Sequence, residues 1–138
     1  AESSIIGADG SVLAEGSGEG RVKLREKGVI KYSAEVCNPL LWDCDNPNLY
    51  TVKTVLKING EEIDESITRI GFRTVEITVD KGLLLNGKPT FINGVCAHQD
   101  FGLTGLAVPE NIANYKVSLM KEMGANGSRT SHYQQTQS

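Results

Sequence analysis

The sequence has little positive charge and no long apolar run. Its 14 Lys and Arg residues are outnumbered by 17 Asp and Glu residues, giving a net charge of -3. Such a balance provides no basic surface, so neither nucleic acid nor a membrane is expected as a partner. A membrane-spanning helix needs about 20 apolar residues in a row, which the sequence lacks. The first ten residues, AESSIIGADG, have no signal-peptide pattern; since a mature secreted protein shares this property, the compartment stays open.

Cysteine is scarce, with Cys37, Cys44 and Cys96 as the three in the chain. A disulfide-stapled secreted module would carry more of them, in pairs. Zinc-ligand spacing is also missing, because neither C-x-x-C nor H-x-x-x-H occurs. We therefore expect no metal centre, and thiols that are either incidental or buried as small apolar side chains.

Residues 1–73 are rich in short stretches that alternate apolar and polar side chains, the pattern of a sheet with one wet face. The stretches lie at 22–24, 30–36, 50–58 and 63–72. Between the last two, Asn59-Gly60 predicts a type I′ hairpin turn. The parity of the apolar positions changes between Ile67 and Ile70, which predicts a bulge or bend. Strands of this length and spacing predict an antiparallel β-sandwich.

The only tryptophan, Trp42, lies in a long connection at residues 38–48, which contains two prolines and several Asp and Asn residues. A Leu-Trp pair could be a platform for stacking a carbohydrate. The interpretation we favour is an anchor that holds the loop on the sandwich. Beyond the sandwich, Asn86-Gly87 predicts a hairpin between apolar stretches at 83–85 and 90–92.

From residue 90 to residue 133 the sequence predicts a strand, a loop, a helix and a second strand at 128–133, the start of a βαβ unit. Apolar residues recur at helical spacing at positions Ile112, Tyr115, Leu119, Met120 and Met123. Pro109 is expected at the first helical position and Gly124 just past the helix end.

Three polar residues, His98, Arg129 and His132, fall near the ends of the two predicted strands. In α/β folds, ligands meet residues at the carboxyl ends of parallel strands. The three residues are therefore candidates for a binding site.

Five phrases follow one another in one register between about Asn38 and Tyr133. They read NPLLWDCDNPNLYTVKTVLKING, ITRIGFRTVEI, LLLNGKPTFINGVCAHQDFG, AVPENIANYKVSLMKEMGAN and RTSHY. In this order they resemble glycoside hydrolase family 2, especially its β-galactosidases. The resemblance implies a mainly β fold. Residues 1–73 would be an N-terminally incomplete immunoglobulin-like antiparallel sandwich. Residues 74–138 would be a hairpin and the first strand-helix-strand of a TIM barrel, truncated C-terminally.

The resemblance further implies a parent enzyme that hydrolyses terminal β-D-galactosides with retention, using two glutamates on later barrel strands. Retention needs two carboxylates about 5 to 5.5 Å apart, and no acid of this chain matches the family's catalytic pair. Asp100, the one acid in the site-like stretch, is expected to cap a loop. We therefore expect the chain alone to be inactive. Nothing in it requires a cofactor, although the family can use Mg or Na ions.

By the same resemblance, His98 and His132 would bind the substrate sugar, and Arg129 would line the site and support the catalytic carboxylates. For Arg129, a structural salt bridge or a barrel-filling guanidinium is an equally good interpretation. Residues 94–98 read GVCAH, where the family usually has GVNRH or a near variant. The resemblance thus implies an altered site rather than an abolished one.

Two other functions stay open. β-Glucuronidases share RTSHY and the NGKP hairpin, whereas HQDFG and the AVP entry to the helix favour a galactosidase. A non-catalytic sandwich module that binds carbohydrate or another protein would make residues 90–133 dispensable. An incomplete barrel would also leave strand edges open, so we expect self-association of the chain or a mobile segment at 90–138.

Overall fold

A computed structural model describes residues 1–132 of the chain. In chain order the elements are β1 (Glu2–Ile6), β2 (Val12–Ser17), β3 (Tyr50–Ile58), β4 (Glu61–Ile70), β5 (Val75–Thr78), β6 (Gly82–Leu85), β7 (Lys88–Pro89), β8 (Gly94–Ala97), α1 (Glu110–Glu122) and β9 (Gly127–Thr130). Residues 1–77 with 84–88 form one compact unit, and residues 78–83 with those from 89 onward form a second. The predicted mainly β class is confirmed.

The first unit is built on a four-stranded antiparallel sheet in the order β2-β1-β3-β4. The β3–β4 hairpin turns at Asn59 and Gly60, whose φ angles of 52° and 86° confirm the predicted type I′ turn. Between Leu56 and Lys57 the register shifts by one residue, which leaves Ile63 as a bulge in β4. The bulge predicted for this strand therefore exists, but nearer to the turn than the change of parity indicated.

Two ion pairs cross this sheet. Lys57 Nζ lies 2.7 Å from Glu2 Oε2, and Lys53 Nζ lies 2.8 Å from Glu65 Oε2. The hydrogen bond from Lys57 lowers the pKa of Glu2, and the hydrogen bond to Glu65 raises the pKa of Lys53. Because both pairs are exposed, solvent screens them and they contribute little to stability.

The strands predicted at 22–24 and 30–36 are wrong, because residues 18–49 form no strand ladder. The segment lies against the glycine-rich end of β2 instead. A Cβ placed on Gly18 would be 2.7 Å from the Tyr32 ring, so the ring packs directly on bare backbone. The Tyr32 hydroxyl also lies 2.7 Å from Ser3 Oγ on β1. An alternating apolar pattern cannot distinguish a segment that packs on a sheet from a strand that pairs within it, since both place every second side chain against the sheet.

Trp42 anchors the long connection, which is the role predicted for it. Its N–H donates to the Phe72 carbonyl at 2.8 Å, and its carbonyl accepts a hydrogen bond from Asn86 Nδ2 at 3.0 Å. The Arg73 guanidinium lies 4.6 Å from the centroid of the indole ring. This arrangement is a cation–π contact, and it occupies a ring face that a stacking sugar would need.

Residues 75–89 form a three-stranded sheet in the order β5-β6-β7. Asn86 and Gly87 have φ angles of 52° and 74°, which confirms the predicted hairpin turn. The strand after the turn is Lys88–Pro89 rather than the predicted 90–92. The N–H of Thr90 still donates to the Leu83 carbonyl at 2.9 Å, but Phe91 and Ile92 lie outside any strand.

The second unit contains the predicted strand, helix and second strand. The helix α1 begins at Glu110, one residue later than expected. Pro109 has an extended backbone, with φ and ψ of -70° and 157°, and is therefore the N-cap rather than the first helical residue. The predicted second strand is observed over Gly127–Thr130, and its expected last residue, Tyr133, lies outside the described residues.

Gly124 ends α1 as predicted. Its φ of 86° is left-handed, its N–H donates to the Lys121 carbonyl, and the N–H of Ala125 donates to the Met120 carbonyl. This pair of hydrogen bonds is the Schellman motif, which satisfies carbonyls that the helix end would otherwise leave unpaired. The chain is thereby turned from the helix into β9.

The interior of the described chain is small. Its buried apolar side chains are Tyr50 and Leu84, each 7% exposed. The Tyr50 ring meets Phe72 edge-on at 5.1 Å, and its hydroxyl accepts a hydrogen bond from the Leu40 N–H. No helix within residues 1–132 is long and apolar enough to cross a membrane.

The cysteines differ in their exposure. Cys37, Cys44 and Cys96 are free, as predicted, but Cys37 and Cys96 are exposed. Of the two predicted alternatives, buried or incidental thiols, these two cysteines fit the second. Cys96 lies in β8, whose alternate residues Val95 and Ala97 are partly covered, so its own side chain is on the open face.

Candidate functional site

The carboxyl ends of β8 and β9 lie at one edge because the two strands are parallel. Their register pairs Gly94 with Gly127 and Ala97 with Thr130. One further hydrogen bond, from the Ser131 N–H to the Ala97 carbonyl at 3.0 Å, continues the pairing past the end of β9. Residue 98 and residues 131–132 therefore leave the sheet side by side.

Asn93 and Asn126 fix this register from the opposite end of the strands. The N–H of Asn93 donates to Asn126 Oδ1 at 2.8 Å, and Asn126 Nδ2 donates to the Phe91 carbonyl at 2.8 Å. Asn93 Nδ2 donates to the Gly124 carbonyl at 3.0 Å. Sequence reasoning missed this pair. The signal was a repeated Asn-Gly dipeptide, one copy at the start of each strand.

The structure brings the two predicted histidines together. The ring centroids of His98 and His132 are 6.5 Å apart, and the ring planes make an angle of 78°. His98 directly follows the last residue of β8, and both histidines are exposed. His132 has a left-handed φ of 66°, and the residue before it, Ser131, is 2% exposed. A buried, hydrogen-bonded serine thus holds the backbone from which the second ring projects.

Arg129 lies within β9, not at its end. Its pairing partner across the sheet is Cys96, and neighbouring residues of parallel strands share a face. Since residues two apart also share a face, Cys96 places Arg129 on the side from which His98 departs. Arg129 is exposed, and no ion pair within residues 1–132 involves it. Arg129 is therefore on the same face of the sheet as His98, but it lies one residue before the carboxyl end of β9.

The loop after β8 is tied to the helix by Lys116. Its Nζ donates to the carbonyls of His98 at 2.7 Å and Asp100 at 3.1 Å. Sequence reasoning missed this residue as well. The available signal was a lysine four residues from both Ile112 and Met120, which places a charge in the least exposed stripe of the helix.

Two imidazoles at one sheet edge can each donate and accept hydrogen bonds, which suits them to a polyhydroxylated ligand. Asp100 is the acid next to them in the chain and is exposed. Within residues 1–132 no three His, Cys, Asp or Glu side chains converge to hold a metal ion. The described residues thus offer no cluster of this kind for the Mg or Na ions that the family resemblance implies.

Known proteins resemble the chain over nearly its whole length. It is 40% identical over 130 residues to the β-galactosidase BoGH2A of Bacteroides ovatus, an alignment that covers 94% of this chain and 15% of that protein. A β-glucuronidase of Bacteroides fragilis is 40% identical over 98 residues, covering 70% of this chain and 14% of the relative. The chain thus spans about one seventh of the length of these relatives.

Solved structures show the same relationship. A β-glycosidase from Bacteroides vulgatus superposes with a TM-score of 0.78 at 33% identity, over 95% of this chain and 16% of that one. The β-glucuronidase of Parabacteroides merdae gives a TM-score of 0.80 at 30% identity, over 97% and 17%. Residues 2–73 match the model of glycosyl hydrolases family 2, and residues 75–138 match that family's TIM barrel domain. The chain therefore belongs to glycosyl hydrolase family 2.

Proposed function

We propose that this chain supplies one side of the sugar-binding end of a retaining β-glycosidase whose substrate is a terminal β-D-galactoside. The observation that carries the proposal is the pair of histidine rings, 6.5 Å apart, at the carboxyl ends of two parallel strands. That edge is where barrel enzymes bind their substrates. The name of the Bacteroides ovatus relative, a β-galactosidase, supports the choice of sugar.

In this proposal His98 and His132 hydrogen-bond sugar hydroxyls and orient the ring, because hydrogen-bonded placement of the reacting bond lowers the barrier to reaction. Arg129, on the same face of the sheet, lines the site and supports the catalytic carboxylates. Residues 1–73 act as the sandwich domain, and residues 74–138 as the hairpin and the start of the barrel.

The catalytic glutamates come from polypeptide outside this chain. Double displacement requires two carboxylates about 5 to 5.5 Å apart, and Asp100 is the one acid that follows β8 closely. One carboxylate cannot act both as nucleophile and as acid/base. The chain alone is therefore inactive.

A β-glucuronidase is the second candidate. Relatives from Bacteroides fragilis and Formosa agariphila carry that name, at 39% to 40% identity. Arg129 supplies a cation on the site face of the sheet, and a guanidinium pairs well with the carboxylate of a uronic acid. The two candidates differ in the charge of the sugar, so a matched pair of substrates separates them.

The test uses the longer polypeptide in which this sequence would lie, assayed with p-nitrophenyl β-D-galactoside and p-nitrophenyl β-D-glucuronide. We expect the galactoside to have the higher kcat/KM. His98→Ala and His132→Ala should each lower kcat/KM by about 10- to 100-fold, the cost of lost positioning. Asn114→Ala, an exposed helix substitution, is the control and should leave the rate unchanged.

The opposite preference, for the glucuronide, would establish the second candidate. Histidine variants that match Asn114→Ala would remove the support for the site. The chain of 138 residues by itself should give no turnover above the buffer blank, and clear turnover would contradict the assignment of the glutamates to other polypeptide.

A further inference from the structure

Lys116 is placed differently from an ordinary surface lysine. It lies in α1 between Ile112 and Met120, one helical turn from each, and like them it is half-buried. The apolar stem of a lysine can lie along a partly covered helix face while its charged end stays in water. The ammonium group of Lys116 remains exposed, so its hydrogen-bond partners define where it is held.

The partners are two backbone carbonyls in the loop after β8. Lys116 Nζ donates to the His98 carbonyl at 2.7 Å and to the Asp100 carbonyl at 3.1 Å. An ammonium group has three donors and no acceptor, so it suits two carbonyls that point to one spot. Hydrogen bonds from a charged donor are stronger than those between neutral groups. The loop is thus held on both sides of residue 99.

These two hydrogen bonds from Lys116 hold the backbone from which the His98 ring projects. The chain then turns at once, since the N–H groups of Phe101 and Gly105 bond to each other's carbonyls at 3.1 and 3.0 Å. On the neighbouring strand, Ser131 holds the second histidine through its hydrogen bond to the Ala97 carbonyl. Each of the two rings therefore has its own backbone support, and the support of His98 comes from the helix.

We propose that Lys116 is a positioning residue that fixes the loop after β8 so that His98 faces His132 in the geometry that binds the sugar. The catalytic effect of Lys116 rests on the proposed function, whereas its effect on the position of His98 does not. In this role Lys116 touches neither the substrate nor the reacting atoms. It acts through the His98 backbone.

The geometry is tested in the 138-residue chain by NMR. The chain contains two histidines, so the ring protons give few signals and the cross-relaxation peak between the rings is simple to assign. Lys116→Met keeps the length of the stem and removes the donors, and the peak should disappear. Lys116→Arg retains the donors and should keep it. Lys121→Met, in the last turn of the same helix, is the matched control and should resemble the wild type. Thermal melts verify that each variant is folded.

The functional consequence is tested with the same variants in the longer polypeptide. Lys116→Met should lower kcat/KM by about 10- to 100-fold, as expected for a displaced binding group, with Lys116→Arg recovering most of the loss. A lysine that only supports the helix would predict equal rates for Lys116→Met and Lys121→Met. That equality overturns the proposal, and so does a retained cross-relaxation peak in Lys116→Met.

The two proposals fail in different ways. If the unsubstituted polypeptide hydrolyses no β-glycoside, the proposed function is wrong, and the NMR comparison still decides whether Lys116 holds His98. If it hydrolyses the substrate and the Lys116 variants behave like the control, only the positioning role is wrong.

Discussion

Left-handed backbone at residues other than glycine occurs here for two different reasons. Asn59 and Asn86, with φ of 52° each, start Asn-Gly hairpin turns, and asparagine tolerates this conformation well. Leu103, with a φ of 77°, is not a residue that favours it, whereas His132, with a φ of 66°, belongs to a type that adopts it more often than most. Next to His132, the hydrogen bond from the Ser131 N–H to the Ala97 carbonyl holds the backbone. Such residues are often found at functional sites.

Gly124 allows a direct measurement of what a left-handed φ costs in this chain. Gly124→Ala should lower the free energy of unfolding by about 1 kcal/mol, because alanine is strained at a φ of 86°. Gly102→Ala is the control: its added Cβ meets no atom within 4 Å and its φ is not left-handed. Urea unfolding followed by helical circular dichroism measures both. Equal stabilities of the two variants would contradict the Schellman ending of α1.

Each strand of the second unit begins with an Asn-Gly dipeptide and ends in a histidine-bearing turn. At one end, Asn93 and Asn126 hold the two strands together through their hydrogen bonds, an arrangement we call the asparagine lock. At the other end, the hydrogen bond of the Ser131 N–H keeps β8 and β9 in register. A slip of one residue would turn every side chain to the other face. It would also move Arg129 off the face from which His98 departs. The lock is therefore far from the histidines but determines their alignment.

Removing the Asn126 side chain should lower the stability of the chain and loosen the register of β8 and β9. Asn126→Ala deletes two side-chain hydrogen bonds, to the Asn93 N–H and the Phe91 carbonyl. At about 0.5 to 1.5 kcal/mol each, the expected loss is about 1 to 3 kcal/mol. Asn114→Ala, on the exposed side of α1, should be neutral or slightly stabilising because alanine is the better helix former. A urea titration that finds the two variants equally stable would show that the lock is dispensable.

Many large apolar side chains within residues 1–132 are exposed to solvent. Ile63 and Ile67 of the edge strand β4 are 49% and 65% exposed, and Leu103 is fully exposed. Apolar surface of this extent is typical of a face that another polypeptide covers. The membership of a family whose proteins are several times longer agrees with this reading.

Self-association of the isolated chain follows from this exposure. Edge strands with exposed apolar residues pair with other copies, and β4 is an outer strand of its sheet. In sedimentation-velocity experiments we expect the average mass to rise with concentration above that of a monomer. Ile67→Lys should reduce the association by placing a charge on the edge.

The matched control is Thr68→Lys, which adds the same charge to the same strand without removing an apolar side chain. Its association should be closer to that of the wild type. A chain that stays monomeric at all concentrations would contradict the expectation. So would equal effects of the two substitutions, because charge alone, rather than the apolar edge, would then control association.

The sequence by itself determined the features that depend on local chemistry. Asn-Gly pairs specified the turns at 59–60 and 86–87, Gly124 specified the helix end, and the order of phrases specified the family, because each signal is contained in a few neighbouring residues. Tertiary structure alone decided that residues 30–34 pack on glycines instead of pairing. It also decided that His98 and His132 meet, and that Lys116 reaches the loop. These outcomes depend on distances between residues 10 to 34 positions apart, which register and strand direction set and which no local pattern contains.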